Sequence, residues 1–200
     1  MSQVLGSVRV VRRLAALSFI LLLPSCSGHE VDLARQSPAT AAEEPDGYEI
    51  AEVTRIVDGD TVEVRITEQS DGPGAGRAEI GETYSVRLIG IDTPESVKPG
   101  SPVECFGVEA SAAAKALVGG QTVTLVKDVE EADGYERLLR YVYLGEEMVN
   151  ARLVLNGYAS AYTYPPNVRH SDLFVALQRE ARTTDAGLWG PNTCDGVTGE

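Results

Sequence analysis

The sequence predicts an α+β domain, a five-stranded Greek-key OB-fold β-barrel with three α-helices. Five short segments have the residue patterns of strands, and turn-forming residues separate them. One helical segment lies between the third strand and the fourth, and two more helices follow the fifth. That order of elements is typical of an OB-type barrel.

The strands are assigned from the alternation of apolar and polar residues. The second is the clearest, because Val62, Val64 and Ile66 alternate with polar neighbours, the period of a half-buried strand. A turn at Asp58-Gly59-Asp60 precedes it, and a Gly-containing loop follows it. The predicted strands cover residues 50–57, 61–67, 84–91, 122–129 and 138–144.

The third predicted strand must bend if it is to bring two charged side chains together. The spacing of Arg87 and Asp92 is odd, so a regular strand would point them to opposite faces. A bulge or bend at Gly90 would reverse this parity. Pro94 then ends the strand, since proline has no N–H to donate to the ladder.

The helices are assigned from apolar residues at helical spacing, with glycine after each segment. Ser171 can cap the third helix, and His170 is interpreted as a residue at its start. The predicted helices cover residues 104–118, residues 146–156, and a segment that begins at Ser171 and ends before Gly187.

The N-terminal segment is expected to direct export. Three arginines precede an apolar run at 14–23 that is too short to span a bilayer as a normal helix. The run ends in a lipobox-like Leu23-Pro24-Ser25-Cys26, so Cys26 is the predicted lipidation site; an ordinary secretory signal with an incidental cysteine is the alternative. The predicted organisation is a lipoprotein signal peptide at 1–26, a flexible tether at 27–47, an OB-type domain at 48–190 and a C-terminal tail at 191–200.

The acidic charge argues against a nucleic-acid partner. The chain has 17 basic and 30 acidic residues and a net charge of −13. Three of the basic residues and none of the acidic ones lie in the leader, so the remainder carries −16. Nucleic-acid-binding proteins are usually basic, because neutralising phosphates supplies most of their affinity. A bound metal cation would reverse the local sign of charge.

Two cysteines remain once Cys26 is assigned to lipid. Cys105 and Cys194 form an even pair in an exported chain, so a disulfide between them is predicted, with two free thiols as the alternative. This disulfide would close a loop of about 90 residues, and in the chain-entropy model closing such a loop stabilises the fold by roughly 4–5 kcal/mol.

Three short stretches together supply the residue types that phosphodiester hydrolysis needs. Carboxylates are ligands for a hard cation such as Ca²⁺, and guanidinium groups match a phosphate with two parallel hydrogen bonds. A bound metal ion, two permanently charged guanidinium groups and a carboxylate that does not bind the metal are sufficient for the reaction. The stretches are Asp58-Gly59-Asp60-Thr61, Arg87 with Asp92-Thr93-Pro94-Glu95, and Asp133-Gly134-Tyr135-Glu136-Arg137.

With these motifs the chain resembles the thermonuclease family, the staphylococcal-nuclease-like secreted nucleases. Six stretches match in family order and span roughly residues 50–190, namely 57–62, 87–95, 107–111, 133–143, 148–150 and 161–167. The resemblance implies an OB-fold and hydrolysis of the P–O5′ bond of DNA and RNA, leaving 3′-phosphates.

The resemblance also implies a role for each motif residue. Asp60, Asp92 and the Thr93 carbonyl would bind Ca²⁺, and Asp58 would lie just behind these ligands. Glu95 would orient or deprotonate the attacking water. Arg87 would grip the phosphate, and Arg137 would face the charge that develops in the transition state.

The expected substrates are DNA and RNA without sequence specificity. The resemblance places Tyr162 and Tyr164 where a base is stacked and a phosphate contacted, and Tyr135 beside the phosphate. Free bases in single strands can stack on such rings, so single strands should be preferred. Half-buried structural tyrosines are the alternative. Cofactor and partners are therefore Ca²⁺, nucleic acid and, through the lipid, a membrane; we expect a monomer.

The chain departs from the family pattern on the Arg137 hairpin. Gly134 stands where lysine is common, and Glu136 and Leu138 stand where glycine is usual. Glu136 could pair with Arg137 or Arg140 or weaken phosphate binding, and Arg140 is the substitute candidate if Arg137 is not catalytic. Two rival functions remain. A non-catalytic OB-type binding module should have lost a catalytic carboxylate or arginine, and a surface Ca²⁺-binding lipoprotein would not require Arg87 and Arg137 together.

Overall fold

The computed structural model describes residues 46–97 and 102–194. Within these ranges it contains eight strands, three α-helices and a 3-10 helix at Gly187–Trp189. The strands are β1 (Glu49–Asp58), β2 (Thr61–Gln69), β3 (Thr83–Leu88), β4 (Ile91–Asp92), β5 (Thr122–Val126), β6 (Leu138–Leu144), β7 (Glu147–Met148) and β8 (Ser160–Ala161); the helices are α1 (Gly107–Val118), α2 (Val149–Leu155) and α3 (Ser171–Thr183). The predicted leader and most of the predicted tether lie outside the described residues.

Five of the strands close into a barrel, so the predicted fold class is confirmed. β1 pairs antiparallel with β2 and β5, β2 pairs with β3, and β5 pairs with β6. The barrel closes through a parallel pairing of β3 with β6, in which Arg87 lies opposite Leu139. The three helices complete the α+β architecture.

The bend predicted at Gly90 exists, but it divides the third strand in two. β3 ends at Leu88, Gly90 adopts a φ of 82°, and β4 then pairs with β8 rather than with the barrel. A side chain at Gly90 would collide with the ring of Phe174, so both the backbone angle and the packing require glycine. The single strand predicted at 84–91 is therefore wrong, because its last residues follow a different partner.

Two of the three helices begin later than the sequence predicts. Phe106, with φ 71°, interrupts the helical backbone, so α1 begins at Gly107 instead of residue 104. Residues 147 and 148 pair with β6 as β7, which delays α2 to Val149. Ser171 is the first residue of α3 and not its cap, since His170 occupies the N-cap position without a side-chain cap bond. Each helix in the described part of the chain is too short or too polar to traverse a bilayer.

A buried group of three charged residues connects the barrel to the hairpin before β6. Arg140 is fully buried; its Nε donates to Glu49 at 2.7 Å, and its Nη2 donates to Glu131 at 2.5 Å. Its Nη1 donates to the carbonyls of Leu139 and Glu131. Burial alone would lower the pKa of Arg140, but the hydrogen bonds and charges of the two carboxylates raise it. The guanidinium is thus paired throughout and is closed off from solvent.

We expect the substitution Glu49→Ala to destabilise the domain strongly. It leaves a buried guanidinium without one of its two carboxylates, and breaking a buried pair costs about 3–5 kcal/mol. Glu147→Ala is the matched control, because Glu147 pairs with Arg152 where both side chains are well exposed, and such pairs contribute about 1 kcal/mol or less. Urea unfolding measures the free energy of unfolding of both variants, and an equal loss of that free energy in the two would contradict the account.

Candidate active site

Arg87 is the centre of the site and bridges two carboxylates. Its Nη2 lies 3.1 Å from Asp60 Oδ2 and 2.8 Å from Asp92 Oδ1. Its Nη1 donates to the carbonyls of Leu88 at 2.6 Å and Ile91 at 2.8 Å. The turn between β3 and β4 therefore wraps around the guanidinium group of Arg87, which lies in β3. The arginine is rigidly oriented, with only 14% of its side chain exposed.

The turn between β1 and β2 packs directly against the Asp92-Thr93 segment. Asp60 Oδ2 accepts a hydrogen bond from the Thr93 N–H at 3.0 Å, and Asp60 Oδ1 accepts one from the Thr61 hydroxyl at 2.9 Å. A Cβ on Gly59 would lie 2.8 Å from Thr93 Oγ1, so this approach needs a glycine. Asp60 and Thr93, predicted as ligands of one ion, therefore lie side by side.

Asp58 and Glu95 form the next part of the site. Asp58 accepts hydrogen bonds from the Ser96 hydroxyl at 2.6 Å and the Gly59 N–H at 2.8 Å. Burial raises the pKa of Asp58 to about 6; Ser96 opposes this shift, and a hydrogen bond with the Glu95 side chain adds to it. The Glu95 carboxylate also accepts the Val97 N–H at 3.0 Å. Ser96 was not foreseen from the sequence, because a serine two residues after a proline carries no distinctive signal.

The hairpin before β6 holds Arg137 through Asp133. Arg137 Nε and Nη2 both lie 2.7 Å from Asp133 Oδ2, and the Arg137 N–H donates to Asp133 Oδ1 at 3.0 Å. Burial alone would raise the pKa of Asp133, but these hydrogen bonds and that of Tyr135 hold it below its usual range. Arg137 Nη1 reaches Thr61 Oγ1 at 3.5 Å, which connects the hairpin to the turn beside Asp60.

The other arginine and the acidic neighbour on this hairpin are not part of the site. Arg140 is fully buried with Glu49 and Glu131, so it cannot replace Arg137 at a phosphate. Glu136 is exposed, in the left-handed region at φ 62°. Of the alternatives that the sequence leaves open for Glu136, pairing with Arg137 or Arg140 is not observed, because closer carboxylates occupy both arginines.

A cavity of about 520 Å³ brings the motifs together with the tyrosines. Its lining includes Arg87, Asp92, Tyr135, Arg137, Tyr162 and Tyr164. The rings of Tyr162 and Tyr164 are nearly parallel, at 10° with centroids 6.4 Å apart, and are 50% and 62% exposed. They are therefore surface rings and not half-buried structural ones.

Asn167 fixes the tyrosine loop to the hairpin loop. Its Oδ1 accepts the N–H groups of Val129 and Glu130, and its Nδ2 donates to the Glu130 carboxylate. The Pro165-Pro166 bond beside it is cis. Asn167 is not among the predicted site residues, although it ends one of the six matching stretches.

The carboxylate side of the site fits a hard cation. Burial raises the pKa of Asp92; Arg87 opposes the shift, while the charges of Asp60, Glu104 and Glu95 increase it. Negative charge therefore exceeds what the single guanidinium neutralises. Thr93 Oγ1 is also buried without a hydrogen-bond partner. Among the described residues, no three Asp, Glu, His or Cys side chains form a ready ligand group, so carbonyl oxygens or water would have to complete the shell.

Comparison with known proteins identifies the family. The family model described as "Staphylococcal nuclease homologue" matches residues 85–191. The chain belongs to the staphylococcal nuclease family. The Thermonuclease of Staphylococcus intermedius is 40% identical over 68% of this chain and 74% of the relative, and that of Staphylococcus hyicus is 38% identical over 68% and 73%. Endonuclease YncB of Bacillus subtilis is 34% identical over 68% of this chain and 59% of its own length.

Membership of the staphylococcal nuclease family makes this chain an enzyme, a hydrolytic nuclease. The motif residues predicted for the active site all lie in or directly beside one cavity. Those that line it are Arg87, Asp92, Tyr135, Arg137, Tyr162 and Tyr164. Asp60 adjoins it through Arg87, Thr93 follows Asp92 in the chain, Glu95 acts on Asp92 through its charge, and Asp58 is connected through Glu95.

We expect the substitution Asp133→Ala to lower nuclease turnover by at least ~10-fold. Arg137 loses its charged hydrogen bonds to Asp133, each worth about 1.5–3 kcal/mol, and with them its fixed orientation. The control Glu136→Gln removes one negative charge from an exposed neighbour, and its turnover should stay close to that of wild type. Steady-state kinetics on an oligonucleotide measures both variants, and wild-type turnover for Asp133→Ala would refute the positioning role.

Proposed function

We propose that this chain is an exported, membrane-anchored, calcium-dependent nuclease that hydrolyses the P–O5′ bond of DNA and RNA and leaves 3′-phosphates. The observation that carries the proposal is the convergence of Arg87 and Arg137 on one cavity beside the paired carboxylates Asp60 and Asp92. The names of the relatives, thermonuclease and endonuclease, support the same reaction.

Asp60, Asp92 and the Thr93 carbonyl are the proposed Ca²⁺ ligands, with Asp58 behind them. When bound, the ion supplies positive charge that polarises the scissile phosphate and offsets the negative charge of the site. Asp60 and Asp92 are also the partners of Arg87. A cation that neutralises these two carboxylates would leave Nη2 of Arg87 available for a substrate oxygen, while Nη1 stays on the carbonyls of Leu88 and Ile91.

The proposed catalytic residues are Arg87, Glu95 and Arg137. The guanidinium groups of Arg87 in β3 and of Arg137 in the hairpin before β6 would bind the phosphate and stabilise the charge that forms in the transition state. Glu95 would accept a proton from the attacking water. Its carboxylate is only partly buried and follows the ligand segment without belonging to it, which suits a general base.

The proposed substrate contacts favour single strands and carry no sequence preference. Tyr162 and Tyr164 expose ring faces on which a base can stack, worth about 1–3 kcal/mol per base, and Tyr135 lies near the phosphate position. None of these rings reads a base edge. The net charge of −13 adds repulsion against long duplexes, which bring many phosphates near the surface.

Export and anchoring are proposed from the leader and the disulfide. Cys26 and the apolar run before it lie outside the described residues, so the proposal rests on the sequence pattern alone. The Cys105–Cys194 disulfide fits an oxidising, extracytoplasmic compartment. Lipid on Cys26 would hold a monomeric enzyme at a cell membrane or outer membrane, with residues 27–47 as a tether.

We expect Ca²⁺ to support cleavage far better than Mg²⁺. The proposed ligands are two carboxylates and one backbone carbonyl. Such a small, mixed set suits a larger ion with adaptable coordination, whereas Mg²⁺ requires near-ideal octahedral geometry. The assay digests single-stranded and duplex DNA and RNA with each metal and with EDTA. In parallel, the melting temperature is measured with and without Ca²⁺, since a bound ion stabilises the fold.

The control for this assay is restoration of activity when Ca²⁺ is added back to the EDTA-treated enzyme. Full activity in EDTA, or equal rates with Mg²⁺ and Ca²⁺, would contradict the proposed cofactor. Faster digestion of duplexes than of single strands would contradict the proposed substrate preference.

A further inference from the structure

Both backbone groups of Glu95 are held by one other residue. The Glu95 N–H donates to the Glu104 carboxylate at 2.9 Å, and the Glu104 N–H donates to the Glu95 carbonyl at 2.9 Å. Glu104 is only partly buried and does not line the cavity. Its hydrogen bonds therefore hold the peptide unit of Glu95, while its charge also acts on Asp92 of the cavity.

The segment that carries Glu104 is itself tightly packed against Glu95. A Cβ on Gly107 would lie 2.7 Å from the Glu95 carbonyl oxygen, so the start of α1 approaches the loop as closely as glycine allows. Phe106, with φ 71°, turns the chain into the helix, and its ring stacks on Tyr158 with centroids 5.6 Å apart. Residues 104–107 thus form a rigid support beneath Glu95.

A disulfide fixes this support at the residue after Glu104. Cys105 is bonded to Cys194, with 6.0 Å between the Cα atoms. Cys194 follows the 3-10 helix, whose Leu188 is fully buried in the fold. The disulfide therefore connects the Glu104 segment to a second anchored part of the chain.

We propose that Glu104 is a positioning residue for Glu95 and that the Cys105–Cys194 disulfide keeps it in place, so that reduction of the disulfide lowers turnover. The inference rests on the proposed role of Glu95 as the group that orients the attacking water. Productive groups must be held within about 0.5 Å, and a misplacement of about 1 Å can cost ~10²-fold. The two Glu104 hydrogen bonds determine where the Glu95 backbone lies and thereby where its carboxylate points.

Two variants of Glu104 separate positioning from charge. Glu104→Gln keeps an oxygen that can accept the Glu95 N–H, whereas Glu104→Ala removes it. We expect kcat of Glu104→Ala to fall at least ~10-fold with KM little changed, and Glu104→Gln to restore most of the loss. Glu109→Ala is the matched control, since Glu109 is exposed in the first turn of α1, and it should match wild type.

A second readout does not depend on activity. Amide hydrogen exchange of the Glu95 N–H should be protected in wild type and in Glu104→Gln, and should accelerate in Glu104→Ala. Melting temperatures of all variants establish that the comparison is made on folded protein. If Glu104→Ala exchanges and cleaves like wild type, or if Gln and Ala are equally impaired, the positioning role is refuted.

The disulfide is tested on the oxidised full-length protein with and without a reductant. We expect reduction to lower kcat and to accelerate exchange of the Glu95 amide, and reoxidation to reverse both. The double variant Cys105→Ser with Cys194→Ser should have the reduced kcat and should not respond to the reductant. Wild-type kcat and Glu95 protection after full reduction would overturn the role of the disulfide.

The two proposals fail in different ways. A wild-type protein that cleaves nothing with any metal contradicts the proposed function, while the exchange data still decide whether Glu104 holds Glu95. An active wild type with an unaffected Glu104→Ala variant contradicts only the inference about Glu104.

Discussion

The parallel pairing of β3 with β6 determines that the guanidinium groups of Arg87 and Arg137 lie at the same end of the barrel. In β3, Arg87 lies opposite Thr61 of β2 on one side and Leu139 of β6 on the other. The first neighbour brings Asp60 to Arg87, and the second brings Arg137 to the same end of the barrel. A register shift of one residue in β3 would turn Arg87 to the opposite face, and the site would no longer exist.

Electrostatics explains how an acidic chain can bind a polyanion. Each arginine of the site is oriented by carboxylates, Arg87 by Asp60 and Asp92 and Arg137 by Asp133. These partners fix the geometry and also cancel charge, so the two guanidinium groups alone leave a site without excess positive charge. In this account the proposed cation supplies the missing charge, and attraction to phosphate is confined to the cavity. The acidic remainder of the surface contributes solubility and repulsion but not recognition.

The sequence predicts the barrel and the set of motif residues but not how those residues are held. Alternating apolar residues locate the strands, and Gly90 signals the bend that unites Arg87 with Asp92. Strand and helix ends were misplaced where a long-range partner decides them, as for β4 with β8. From the sequence, Arg140 can replace Arg137 as a phosphate ligand, because no local pattern shows that Glu49 lies beside Arg140. Such contacts between distant residues are set by tertiary packing, which residue spacing along the chain does not reveal.

A double-mutant cycle on Arg87 and Arg137 tests most directly whether both residues act on one phosphate. The measurement is kcat/KM on a short oligonucleotide with saturating Ca²⁺ for wild type, Arg87→Ala, Arg137→Ala and the double variant, with melting temperatures as the control for folding. Each single variant should lose at least ~10²-fold, since one oriented transition-state contact is worth about 3–4 kcal/mol. The double variant should lose far less than the product of the two, as expected for residues that act as a unit. Strictly multiplicative losses, or near-normal activity of Arg137→Ala, would contradict the account.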